Sequence, residues 1–330
     1  MIQDTRPSGA RVSQRAPAAS SAVSQGDAGA LFHEGERALQ QRAGVEQVAA
    51  QIGRNIVPFV PVGFSAFLSR QPFVVVASRD QSGRAWASVI AGQAGFARAL
   101  DDRHVLLASL PASPDPLEAA LGRRHAQVGL LAIEPDTRQR IRINGTAQRV
   151  SDGILLTVAE AYANCPKYIQ RRQPTERLTV SAASAHHEST MLDARHAALV
   201  RGADTFFIAS AHPLRGADAS HRGGRPGFVR VSGRRQLIFP DYSGNRMFQT
   251  LGNLTVNPRI GLLFVDWETG STLQLTGQAK ISWDEAAVRA WPGAERLVEV
   301  RLDAVREHDR AIPDRWTMVE PHPRNPPLGP

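Results

Sequence analysis

The chain has one cysteine, Cys165, and two lysines, Lys167 and Lys280. A single thiol excludes an intrachain disulfide and any zinc or iron–sulfur site built on several cysteines, which fits a reducing cytoplasm. Because lysine is so scarce, the 39 basic residues are nearly all arginine and are scattered, so the net charge of +8 reads first as composition and only secondly as a nucleic-acid signature. Long apolar runs are also missing. The longest, IVPFVPVGFSAFL, is broken by Pro58 and Pro61 and falls short of the roughly 20 residues a bilayer-spanning helix needs. Residues 1–30 carry Arg6, Arg11 and Arg15 but no apolar core of a secretory signal; they read as a disordered extension, with a transit peptide as the alternative. No glycine-rich phosphate motif stands in strand–turn–helix context, so a Rossmann site is not expected. His186, His187 and Glu188, with His196 beyond them, lack the spacing of a helical metal pair, and no metal is expected. Cys165 has no identifiable base partner and reads as a small hydrophobe.

What is present is a repeat. PFVVVASRDQSGRAWASVIAGQAGF from residue 72 aligns without gaps with DTFFIASAHPLRGADASHRGGRPGF from residue 204. Ala77–Ser78 match Ala209–Ser210, Gly95–Phe96 match Gly227–Phe228, Gly129-Leu130-Leu131 match Gly261-Leu262-Leu263, and Gly145 matches Gly277, always at the same offset (227 − 95 = 132). Self-similarity at one offset through separate blocks marks a duplicated fold unit. Each copy reads as a helical segment, an apolar strand, a glycine-containing turn, further short strands, a helix and two closing strands. That pattern predicts small antiparallel barrels, mainly β with peripheral helices. The expected organisation is a first barrel over 31–150, a connector over 151–189, a second barrel over 190–283, and a helical segment followed by a disordered proline-rich tail over 284–330.

The copies differ in charge. Arg222 aligns with Ile90, Arg225 with Gln93 and Arg246 with Pro114; of the opening stretch only Arg230 keeps its charge, opposite Arg98. A mere compositional habit would place arginine in both copies. In the second, DYSGNR precedes a helical run ending before Pro258. Gly244 allows close backbone approach, the helix start supplies free N–H groups, and Arg246 adds a charge-assisted fork, a combination suited to a phosphate. The competing reading places Arg222 and Arg246 on a solvated rim, paired with Asp218 or Asp241.

The segments ADASHRGGRPGFVRV, LIFPDYSGNRMFQTLGNLTVNPRIGLLFVD and LQLTGQAKI resemble the flavin-binding split barrel of the pyridoxamine 5'-phosphate oxidase family, and FHEGERALQQRAGV with NCPKYIQ resembles its long-form members. The resemblance implies two tandem split barrels with FMN at their junction. It implies phosphate contacts from Arg222 and from Gly244, Asn245 and Arg246, with Phe228, Val229, Asp241 and Tyr242 beside them. Met247 stands where the family has a lysine, and Thr272 where it has a glutamine near the flavin ring; both departures bear on affinity and substrate. Trp86 and Tyr168 are candidate ring-stacking residues, against ordinary core packing, and Lys167 a candidate partner of the reduced flavin, against a plain exposed lysine. No acid–base or nucleophile motif is evident, as expected where the cofactor carries the chemistry. The implied function is an FMN-dependent oxidoreductase acting on a small molecule, cytoplasmic, without membrane or nucleic-acid partners. It would be either a monomer whose two barrels form an internal pseudo-dimer or a homodimer. A non-catalytic flavin- or haem-binding barrel and a basic RNA-binding barrel are the alternatives.

Overall fold

The 132-residue offset reappears in the hydrogen bonding of the computed structural model, which describes residues 31–178 and 186–329. Helices α1 (Glu34–Arg42), α2 (Glu46–Gly53) and α3 (Val62–Ser69) lead into β1 (Phe73–Arg79), β2 (Ala85–Ala91), β3 (Ala97–Ala99) and β4 (His104–Leu107). Then come α4 (Pro116–Leu121), β5 (Ala126–Glu134), β6 (Gln139–Val150), β7 (Gly153–Ala163) and β8 (Arg171–Arg177). The second half follows with β9 (His186–Ser189), α5 (Ala194–Gly202), β10 (Thr205–His212), β11 (Gly216–Gly223), β12 (Arg230–Val231) and β13 (Gln236–Tyr242). It closes with α6 (Gln249–Val256), β14 (Arg259–Val265), β15 (Thr272–Ser282), α7 (Glu285–Arg289), β16 (Ala294–His308) and β17 (Asp314–Glu320).

The two large sheets have the same strand order, β2-β1-β5-β6-β7-β4-β3 and β11-β10-β14-β15-β16-β13-β12, with β9 added beside β16. Registers agree as well: Val76 pairs with Ser88 as Ile208 pairs with Ser220, and Leu131 with Val75 as Leu263 with Phe207. The fold is two tandem split barrels, mainly β with peripheral helices. β-branched and aromatic residues fill both interiors, Val74, Val76, Val128 and Ile143 in the first and Phe206, Ile208, Phe239 and Phe264 in the second. The repeated Gly-Phe has a backbone cause. Gly95 and Gly227 sit at φ +90° and +95°, a left-handed turn that a side chain would strain, and each delivers its phenylalanine inward.

A third apolar cluster joins the barrels, with Val75, Ala87 and Leu131 meeting Phe207, Ala219 and Leu263. The contact is reciprocal. A Cβ on Gly129 would come within 2.6 Å of the Asp218 Cα, and one on Gly261 within 2.8 Å of the Trp86 Cα. Gly129 and Trp86 are the counterparts of Gly261 and Asp218 (129 + 132 and 86 + 132), so each barrel presses the same backbone stretch against the other's glycine.

Several expected boundaries are corrected. Residues 153–163 are not connector but β7, which closes the first sheet against β4 and β6. Residues 294–308 are not helical but form the long strand β16, between β13 and β15. There Val298, Val300, Leu302 and Ala304 are buried and alternate with the less buried Glu299, Arg301 and Asp303, the two-residue period of a half-buried strand. β17 pairs with β8. The proline-rich tail is not disordered over 321–329: the Asn325 amide donates to the Gln170 side-chain oxygen at 2.8 Å, and His322 N donates to the same atom at 2.8 Å. The expectations for residues 1–30 lie outside the described residues. Among those described, no helix is long and apolar enough to cross a membrane.

Helix α1 braces α6, the two crossing where Gly35 faces Gly252. Glu36 lies buried at this crossing, and burial pushes its carboxyl from 4.5 up to about 8, although it accepts a hydrogen bond from His33 N at 2.8 Å. The folded state therefore holds this proton more tightly than the unfolded chain. Its contribution is complete below about pH 4.5 and is lost as pH rises through about 8. Glu36→Gln keeps the acceptor and removes the titration. Thermal melts should show a gain of ~4 kcal/mol at pH 8 that shrinks toward zero at pH 5; a pH-independent effect would refute the assignment.

Candidate functional site

One cleft gathers most of the expected site residues. It is lined by Arg140 and Arg142 of β6, by Asn164, Lys167 and Tyr168 beyond β7, by His221 and Arg222 of β11, by residues 240–242, 244–246 and 248–251, and by Glu295 and Arg296 of β16. Both halves of the chain contribute. Arg222, Gly244, Asn245, Arg246, Phe228, Asp241, Tyr242, Lys167 and Tyr168 all face it, and Arg222 and Arg246 share it although 24 residues (246 − 222) separate them.

The loop before α6 is built for close approach. Arg246 and Phe248 both adopt φ +64°, a left-handed conformation costly for residues with side chains. Asn245 Oδ1 accepts from Met247 N at 3.1 Å while its amide donates to Asn164 Oδ1 at 3.0 Å, tying the loop to the first half. Lys167 Nζ and the Tyr168 hydroxyl donate to the Ser243 carbonyl at 3.4 and 3.3 Å, and the Tyr168 and Tyr242 rings lie 5.3 Å apart. Lys167 is thus a loop anchor rather than a plain exposed lysine. Met247, buried, turns away from the cleft and packs with Phe32, Ala49 and Tyr162.

Most of the charges form pairs. Arg142 Nη1 meets Asp218 at 2.9 Å deep in the protein, where Tyr162 and Thr250 also donate to that carboxylate. Arg222 lies 3.5 Å from Asp241, as the rim reading anticipated, and Arg296 lies 3.2 Å from the same carboxylate. Arg246 reaches Glu295 at 2.7 Å and Ser243 Oγ at 3.0 Å. Arg140 has no carboxylate partner among the described residues. It donates to His221 Nδ1 at 2.9 Å and to the Cys165 carbonyl at 2.7 Å. Lost hydration, with Arg142 and Arg222 nearby, pulls its pKa down to about 9. Burial and the surrounding arginines hold His221 well below the usual imidazole range; a neutral ring accepting at Nδ1 carries its proton on Nε2.

Six buried nitrogens around this cleft have no hydrogen-bond partner among the described residues: Nε of Arg140, Arg142, Arg222 and Arg296, Nδ2 of Asn164 and Nε2 of His221. All six are donors. Buried polar groups are normally satisfied, so this surplus of donors, with an arginine lacking a counter-charge, fits an anion carrying several acceptor oxygens.

Three expected residues lie elsewhere. Trp86 is fully buried at the barrel junction, its indole N–H donating to Asp80 at 2.9 Å. Val229 lies in the second barrel's core. Thr272, between Val265 and His308, does not line the cleft. Two residues on, Gln274 reaches Ser88 and Asp115 of the first barrel. The equivalent strands β6 and β15 therefore each serve the junction with the other copy, and the place assigned to Thr272 is taken at this cleft by its counterpart Arg140 (272 − 132). Arg140, Arg142, His221, Glu295 and Arg296 were not foreseen. The same alignment carried a signal for two of them, since Arg140 stands opposite Thr272 and Arg142 opposite Gln274.

The His186–Glu188 segment pairs as a strand with β16, Glu188 lying 3.2 Å from Arg306. His33, Glu34 and His212 do draw together, but Nδ1 of each histidine accepts backbone N–H groups. Both rings then carry their proton on Nε2, opposite to the tautomer a metal bound there requires.

A family model described as Pyridoxamine 5'-phosphate oxidase matches residues 63–187 and, a second time, residues 192–320. The chain belongs to the pyridoxamine 5'-phosphate oxidase family. The first match takes in the whole seven-stranded sheet, and the second takes in the other sheet apart from β9. Among solved structures, similarity is found to a point variant of HupZ from Group A Streptococcus (17% identity, 36% of this chain and 99% of that one, TM-score 0.30). It is found also to a putative pyridoxamine 5'-phosphate oxidase from Lactobacillus delbrueckii (12%, 36% and 94%, 0.29). A third is an FAD-binding protein from Mesorhizobium loti (12%, 38% and 98%, 0.27). No curated protein sequence matches the chain.

Proposed function

We propose that the cleft binds FMN, one per chain, and that the protein is an FMN-dependent oxidoreductase acting on a small molecule. The observation that carries this reading is the convergence of Arg140, Arg222 and Arg246 from both halves on one cleft with six unpaired donors, in a member of this family. Arg222, Arg246 and the Gly244–Asn245 backbone hold the phosphate. The start of α6, whose residues Gln249, Thr250 and Leu251 line the same cleft, adds the favourable end of its dipole. Arg140 supplies the positive charge that no carboxylate offsets. Phe228, Phe248, Tyr168 and Tyr242 provide apolar and aromatic walls. Bound flavin supplies hydride or single-electron transfer, and the protein's part is to bind, orient and limit access. Both walls belong to a single chain, so the internal pseudo-dimer completes the site without a second subunit.

The test is the absorption spectrum and ligand titration of the purified protein. A flavin spectrum that bleaches with dithionite and returns in air is expected, with FMN binding ~100-fold tighter than riboflavin, the difference expected of two charge-assisted phosphate contacts. Equal affinity for the two would refute the phosphate site. A Soret band would point to haem, and co-purified nucleic acid released steeply by salt to RNA. Oxidation of a reduced nicotinamide separates an enzyme from a carrier.

A further inference from the structure

The ion pairs at the cleft are of two kinds. Arg142 and Asp218 are interior groups, with side chains 6% and 4% exposed, and each has further hydrogen-bond partners. Arg246 and Glu295 are 30% and 29% exposed and stand at the mouth. Glu295 accepts from Arg246 through both carboxylate oxygens and from Arg296 through one of them, so it bridges two guanidinium groups as a bound anion would. It is not needed to hold Arg246 in place. The backbone at φ +64° directs that side chain, and Ser243 Oγ fixes its other terminal nitrogen at 3.0 Å.

The chain reaches this point by an insertion. β6 and β7 are joined by a tight turn at Ser151 and Asp152, whereas residues 283–293, carrying α7, separate β15 from β16 and deliver Glu295 to the mouth. The added segment brings a carboxylate to the one loop that carries the phosphate arginine.

We propose that Glu295 is a built-in competitor for the ligand's phosphate: it occupies the guanidinium groups of Arg246 and Arg296 in the ligand-free protein and is displaced by a phosphate monoester, so the site binds its ligand exchangeably. This rests on the reading of the cleft as a phosphate site. The pair with Arg246 is exposed to water and worth little, and the buried Arg296 keeps Asp241 as a partner when Glu295 leaves, so displacement is cheap, while the displaced carboxylate stays close enough to oppose a dianion.

The experiment compares wild type, Glu295→Gln and Glu295→Asp by calorimetric titration with FMN, inorganic phosphate and riboflavin. Glu295→Gln should bind FMN and inorganic phosphate ~10-fold tighter, with slower FMN release and unchanged riboflavin affinity. Glu295→Asp, one methylene shorter and still charged, should tighten FMN binding by a few-fold, and it decides the matter if the glutamine variant does not fold. Wild-type binding that is unchanged or weakened in both variants overturns the inference, because Glu295 would then support Arg246 rather than compete for it. If no protein in the series binds FMN or phosphate, the phosphate site itself falls, a pattern distinct from the first.

Discussion

Arg246→Ala is expected to weaken FMN binding by about 100-fold while leaving the melting temperature of the ligand-free protein within about 2 °C of wild type. Two effects add in the binding term. The substitution removes a guanidinium that can fork onto phosphate oxygens, and it leaves Glu295, held at 2.7 Å by that guanidinium, with only Arg296 to offset its charge beside the incoming dianion. The small change in stability follows from exposure, since a pair at the cleft mouth contributes little to folding. Riboflavin, which lacks the phosphate, should bind the variant as it binds wild type. Arg98→Ala makes the control, because Arg98 is an exposed arginine of the first barrel that donates only to the Gly95 carbonyl, at 3.3 Å. Fluorescence titration of flavin against both variants reads the difference. Equal retention would place the phosphate elsewhere.

Gly261→Val should act through architecture. At this position even a Cβ would approach the Ala85 carbonyl oxygen at 2.7 Å and the Trp86 Cα at 2.8 Å. These are backbone atoms of the opposite barrel and cannot rotate aside, so the barrels must separate or the strand must shift. Overpacking of this kind costs ~3 kcal/mol, which lowers the melting temperature of a protein this size by about 4 °C. Because the cleft takes one wall from each barrel, FMN binding should weaken in parallel, although Gly261 does not line it. Gly63→Ala, in α3 with nothing within 4 Å of the new methyl group, should do neither. Calorimetry with a flavin titration on each variant separates the cases; a Gly261→Val protein with wild-type stability would mean that the junction is looser than the packing shows.

Much of this was legible in the sequence because the duplication is a matter of strand register. One offset aligned the residues, and the same offset aligns the hydrogen-bonded pairs, so each copy corroborated the other. The loop at the cleft was legible because Gly244, Asn245 and Arg246 are adjacent and have no charged counterpart in the first half. The opposing wall was not, because the asymmetry of Arg140 and Arg142 runs the other way, charged in the first copy and uncharged at Thr272 and Gln274 of the second. β16 was misread because ERLVEVRLDAVREH is rich in good helix formers. Its alternation over Val298–Ala304 and its place between β13 and β15 outweigh that propensity. Trp86 illustrates the remaining gap: an aromatic beside a duplicated Ala-Ser motif serves equally as a ring platform or as packing, and only its neighbours Asp80 and Gly261 decide for packing.

The covalent continuity of the two barrels has a consequence for how the protein responds to dilution. A ligand pocket assembled from separate subunits empties when its subunits dissociate, so its occupancy falls with protein concentration as well as with ligand. Here both walls travel on one polypeptide, and the effective concentration of one for the other is set by the connecting chain rather than by expression level. Holding capacity should therefore persist in a cell that makes only a few copies.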